Sequence, residues 1–114
     1  MVDKLKQEQV RQWIRDENRE ALLHAFEDLH PADAAEQLAG LSPSEVARYV
    51  ELVGPAETLP IFEFVPFEMQ RETLEHLPRS ILPRLIELMS PDDRADLVEE
   101  LDEKSQERLL SLLM

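Results

Sequence analysis

The first residues whose type and spacing carry chemistry are the acids near the C-terminus. Nine lie between Glu87 and Glu107, with only Arg94 and Lys104 among them. On a helix opening at Pro91, Asp92 and Asp96 stand at i,i+4, Asp96 and Glu99 at i,i+3, and Asp96 and Glu100 at i,i+4. Like charges so spaced repel, and a divalent cation relieves the repulsion. Hard cations such as Mg²⁺ prefer carboxylate oxygens and keep several waters, so one or two carboxylates make half a site. The competing reading is a solvated acidic face on which Asp92 and Asp93 serve only the helix dipole. Spacing alone favours that plainer reading, and it does not choose among Mg²⁺, Mn²⁺ and Ca²⁺.

Other chemistry is sparse. His24, His30 and His76 have no mutual metal-ligand spacing; His30, just before Pro31, reads as a helix cap and the other two as surface residues. No serine sits in an order that suggests a triad, no glycine-rich phosphate loop is present, and cysteine is absent. An enzyme is not expected. Trp13, Tyr49 and Phe62 follow the apolar register and read as core. Phe64 and Phe67, flanking Val65-Pro66, read either as core neighbours or as an exposed partner patch.

The elements that must position the acids follow a twelve-residue spacing. Leu29, Leu41, Val53, Val65, Leu77, Met89, Leu101 and Leu113 are evenly spaced and all apolar. So are Leu38, Val50, Phe62, Leu74, Ile86, Val98 and Leu110, each nine residues after an anchor. Proline follows most anchors closely, where a first helical turn loses no hydrogen bond to it. Ser42-Pro43-Ser44-Glu45 reads as a capping box, and Ser90-Pro91-Asp92-Asp93 has the same layout with shorter acids. Each unit is then a short helix and a turn, and two units make an antiparallel helical hairpin. Hairpins that bury one face must stack, which predicts an all-α superhelix or solenoid over residues 29–114. Pro60 and Pro83 sit beyond the first turn of their expected helices and should kink or delay them. Residues 1–28 follow another pattern. Leu5, Val10, Trp13 and Ile14 stripe one helix; Asn18 caps a second, with Leu22, Leu23 and Phe26 on its apolar face. This pair is expected to cap the repeat region within one domain.

Composition limits the partners. The 114 residues carry 12 Lys+Arg against 25 Asp+Glu, a formal net charge of -13. Nucleic acid and anionic membrane surfaces would repel such a chain. No apolar run approaches the roughly 20 residues of a bilayer span, so a soluble, cytosolic chain is expected.

The segments Leu29-His30-Pro31-Ala32-Asp33-Ala34-Ala35-Glu36-Gln37-Leu38 and Ser90-Pro91-Asp92-Asp93-Arg94-Ala95-Asp96-Leu97-Val98-Glu99-Glu100-Leu101, with the twelve-residue spacing, resemble the intracellular N-terminal domain of MgtE-type magnesium transporters and channels. The resemblance covers roughly Asn18 to Met114. It implies a right-handed α-helical superhelix that precedes a pair of CBS domains and a transmembrane pore domain. It also implies that Mg²⁺ binds at the acidic interface with the CBS domains and favours pore closure. The family's late-helix acids match Asp92, Asp93 and Asp96. An earlier glutamate of the family falls near Leu59-Pro60-Ile61, with Glu57 and Glu63 as the acids close by.

Two functions are therefore expected from different classes. One is a Mg²⁺-sensing regulatory domain at the cytosolic face of a transporter, binding Mg²⁺ weakly alone because half the ligands are missing. The other is a metal-independent α-solenoid interaction module, of which a motor-switch-like scaffold is a variant. The last anchor, Leu113, precedes a single residue, so the chain reads as a fragment of a larger protein.

Overall fold

Local capping decides where most helices begin. The computed structural model describes residues 4–113, which form nine helices and no strand. These are α1 (Lys4–Arg15), α2 (Arg19–Glu27), α3 (Pro31–Ala39), α4 (Pro43–Val53), α5 (Pro55–Phe62), α6 (Phe67–His76), α7 (Leu82–Leu88), α8 (Pro91–Glu100) and α9 (Glu103–Leu113). The Asn18 side chain accepts from the Ala21 N–H at 3.1 Å and opens α2. His30 Nδ1 accepts from the Ala32 N–H at 3.0 Å and opens α3. At α4 the capping box is complete: Ser42 Oγ accepts from the Glu45 N–H at 3.2 Å, and Glu45 Oε1 from the Ser42 N–H at 2.9 Å. Ser90 Oγ accepts from the Asp93 N–H at 3.2 Å, without the reciprocal bond. The Asp93 side chain is one methylene shorter than the glutamate of a full box.

The two awkward prolines behave differently. Pro60 lies inside α5 without ending it. Pro83 sits in the first turn of α7, because that helix begins at Leu82, later than the spacing of its neighbours suggests. Gly54 both ends α4 and opens α5 at φ 96°, a conformation that L side chains rarely adopt. Buried Thr58 then donates its hydroxyl to the Gly54 carbonyl at 2.8 Å.

Alternate helices pack on one another. α1, α3, α5, α7 and α9 form one succession, and α2, α4 and α6 form a second against it. The radius of gyration is 13.8 Å, about that of a compact domain of this length. Two apolar clusters fill the interior. The first joins α1 to α5 around Leu22, Leu38, Val46 and Tyr49; the second joins α4 to α9 around Val50, Phe62, Leu85 and Ile86. Leu41, Val53, Val65, Leu77, Met89 and Leu101 are all buried, whereas Leu29, the first of that spacing, is 36% exposed. The second spacing holds through Ile86 and then shifts by one residue. Leu97 and Leu109 are buried, Val98 is half-buried and Leu110 is 53% exposed. A rotation of about 100° per residue is enough to exchange neighbours on a helix face. In residues 1–28, Val10, Ile14, Leu22 and Phe26 are buried and Trp13 and Leu23 pack against them. The side chains of Leu5 and Leu113 lie outside the described residues.

α1 is fastened to the α3–α4 turn by Arg11. Its guanidinium donates to the Gly40 carbonyl at 3.1 Å and pairs with Glu45 at 3.2 Å, the same carboxylate that closes the capping box. Burial alone would raise the Glu45 pKa, but the Ser42 N–H, the Ser42 hydroxyl and Arg11 outweigh it and hold the group below its ordinary 4.5. A depressed carboxylate pKa adds stability that is present above the unfolded value and lost as pH falls through the folded one. Stability is therefore expected to decline below about pH 4.5 with a contribution from this group. Denaturant midpoints of wild type and Glu45→Gln between pH 3 and 7 should converge at the acid end; parallel curves would remove Glu45 from the acid transition.

Candidate functional site

The acids of interest stand on α8, whose first turn is fixed by Pro91 and the Ser90 cap. Asp92, Asp93 and Asp96 are all exposed. Asp93 and Asp96, one helical turn apart, face a cleft of about 180 Å³ that Glu63, Phe67, Gln70 and Met89 also line. Glu63 arrives from the C-cap of α5, and Phe67 and Gln70 from α6. Three carboxylates from two separate chain segments thus open onto one space. Asp92 lies outside that lining, so the acids that share the cleft are the i,i+3 pair Asp93 and Asp96. Of the two earlier glutamates, Glu63 joins them; Glu57, in the first turn of α5, lines other clefts.

No Lys or Arg among the described residues forms an ion pair with Glu63, Asp92, Asp93 or Asp96. Arg94 reaches the Met89 carbonyl at 3.4 Å instead, and its Nε is buried without a partner. Asp102 is committed elsewhere. It accepts from the Ser105 N–H at 2.7 Å at the start of α9, and those bonds to Ser105 hold its pKa below the usual carboxylate value. The histidines play no part. His24 Nδ1 lies 3.1 Å from Glu27, His30 caps α3, and His76 is exposed at the end of α6.

The cleft wall has a support that the sequence reading passed over. Gln70 Nε2 donates to the carbonyls of Phe62 and Val65 at 2.9 and 3.0 Å. Gln106 Nε2 does the same for Val98 and Leu101 at 2.8 and 3.0 Å. Each glutamine stands five residues after an anchor and bonds that anchor's carbonyl and the one three residues earlier. The Phe62 and Val98 carbonyls also accept from the N–H groups of Val65 and Leu101, so each glutamine adds a second bond at the end of a helix. Gln70 in this way locks the α5–α6 turn that carries Glu63. The signal was the recurrence of glutamine at one register, 70 and 106.

Comparison with protein families decides the relationship. The family model described as MgtE intracellular N domain matches residues 29–114, three quarters of the chain. The chain belongs to that family. Neither the comparison with curated proteins nor that with solved structures finds a match. The match begins at Leu29, so α1 and α2 lie outside the part of this MgtE N domain that the family model covers. No helix of the described residues is long and apolar enough to cross a membrane.

The donor chemistry suits a hard cation in part. Carboxylate oxygens are the ligands Mg²⁺ prefers, and it keeps several of its waters. Among the described residues, no three of His, Asp and Glu come close enough together to hold a metal ion. The cleft of about 180 Å³ thus brings three carboxylates to one lining without closing a metal-binding group among the described residues.

Proposed function

We propose that this MgtE N domain is a cytosolic Mg²⁺-sensing regulatory element of a magnesium transporter, acting through Asp92, Asp93 and Asp96. Membership in the family supports the transporter context. The observation that carries the sensing role is the cleft onto which Glu63, Asp93 and Asp96 open without a basic partner. The partners in this reading are CBS domains and a transmembrane pore domain of the same transporter. Residues 29–114 form a right-handed superhelix with a twelve-residue repeat, capped by residues 1–28. The packing of alternate helices and the buried residues at twelve-residue spacing support that arrangement.

The residues act by charge. Asp93 and Asp96 repel one another across one helical turn, and Glu63 adds a third negative group from α5. A facing acidic surface would be held off by the same field. Mg²⁺ supplies a divalent charge that offsets this repulsion. Binding that prefers the closed arrangement then couples ion concentration to domain position by linkage. Asp92, outside the cleft, faces outward from the first turn and supplies a ligand toward the partner.

The test is a titration of the chain with MgCl₂ followed by backbone amide shifts. Residues Glu63 and Asp92 to Asp96 are expected to shift at millimolar Mg²⁺, more tightly when the CBS partner is present. Unmoved signals at those residues, alone and with the partner, would reject the sensor role. One observation favours the metal-independent interaction module as a second reading: Phe64 and Phe67 are 55% and 37% exposed. A pull-down lost in Phe64→Ser/Phe67→Ser and indifferent to EDTA would favour it.

A further inference from the structure

A second cleft shares no lining residue with the first. It lies between α2, α4 and α5, measures about 220 Å³ and is lined by Leu23, Phe26, Glu27, Tyr49, Glu57 and Ile61. Tyr49 is its least ordinary member. It is the only tyrosine of the chain, is 2% exposed, and packs its ring on Phe26 with centroids 5.2 Å apart. A phenol buried to this degree normally finds a hydrogen-bond partner. The Tyr49 hydroxyl forms no hydrogen bond among the described residues, and its oxygen is not among the fully buried unpartnered atoms, so it keeps contact with solvent; burial first, and then the Glu57 carboxylate, push its pKa upward. Tyr49 lines the cleft.

The charges around it are equally one-sided. Glu57 forms no ion pair among the described residues, and Glu27 meets only His24. Arg48 of α4 is held by Glu17 and Glu51. The cleft thus combines apolar walls, an aromatic pair, a phenol oxygen and two carboxylates, with no base in its lining. A metal ion suits it poorly, because the carboxylates are two and the walls are apolar. An ammonium on an alkyl stem suits it well. The stem packs on Leu23, Phe26 and Ile61 while the charged head stays at the polar rim. A lysine head has three donors for the three acceptor groups of the lining, the Tyr49 oxygen and the Glu27 and Glu57 carboxylates.

We propose that this cleft is a docking site for a lysine side chain of a basic protein segment. The net charge of -13 draws such a segment in from a distance. The site is independent of the Asp93–Asp96 cleft, and the proposal does not rest on Mg²⁺ sensing.

Because Tyr49 is the only tyrosine, tyrosine ring labelling gives one set of ring signals to follow. The probe is N-acetyl-lysine-N-methylamide, compared with its Nε-acetylated analogue and with MgCl₂. The expected result is a saturable shift of the Tyr49 ring with the lysine compound at millimolar concentration, and none with the acetylated one. Glu57→Gln, an exposed substitution that leaves the core intact, is expected to weaken binding about three- to tenfold, the scale of one partly solvated charge-assisted hydrogen bond. Equal shifts with the acetylated analogue or with MgCl₂, no shift at all, or unchanged affinity in Glu57→Gln would each overturn the proposal.

Discussion

Phe62→Ala is expected to lower the unfolding free energy by about 3–5 kcal/mol. The ring is fully buried in the second apolar cluster, beside residues of α4, α6 and α7. Truncation removes its apolar contacts and leaves a cavity that the surrounding helices can fill only in part. Domains of this size hold about 5–15 kcal/mol in total, so the variant would stand near the limit of folding at 37 °C. Phe64→Ala is the matched control. Two residues away and 55% exposed, it should change stability by no more than about 0.5 kcal/mol. Urea midpoints of both variants check the pair, and equal losses would mean that the α5–α6 turn is packed differently from the structure.

The double substitution Asp93→Asn/Asp96→Asn is expected to weaken Mg²⁺ binding by more than about tenfold. Losing even an outer-shell partner of a metal ligand typically costs 10–100-fold, and these carboxylates would be direct oxygen donors or hold the ion's waters. In the absence of Mg²⁺ the variant should stay within about 0.5 kcal/mol of wild type, because relief of the Asp93–Asp96 repulsion offsets the loss of the Asp93 charge in the first turn of α8. Asp92→Asn alone should have the smaller effect on the isolated chain, since Asp92 lies outside the cleft lining. Amide-shift titrations of the three proteins read the difference. A larger effect from Asp92→Asn than from the double variant would move the binding surface to the outer side of α8.

What the sequence made legible was local. The Ser42 capping box, the Asn18 cap and the first-turn prolines involve residues three or four apart, so spacing alone identifies the bond partners. The buried residues at twelve-residue intervals were legible for a related reason, since burial follows the face of a helix. The companionship of Glu63 with Asp93 and Asp96 was not. It depends on how the α5–α6 turn meets α8, thirty residues later, and no periodicity encodes that distance. The i,i+4 rule singled out Asp92 and Asp96 as neighbours on α8, but which face of α8 meets the rest of the protein is set by Leu97, the residue it buries. Tyr49 read correctly as core, yet burial of the ring said nothing of a hydroxyl left without a partner.

α8 buries a single side chain, Leu97, whereas α4 buries five. Cooperative opening is cheapest where the fewest apolar contacts must be broken, so native-state hydrogen exchange should find α8 among the first helices to release its amides. An element near the low end of the local stability scale is one that a weak ligand can redistribute. Ion binding of the kind proposed would act against the contacts of one buried leucine in α8 rather than against those of five buried residues, as in α4. The thin anchoring of α8 places the acidic end of the domain among the parts expected to open first.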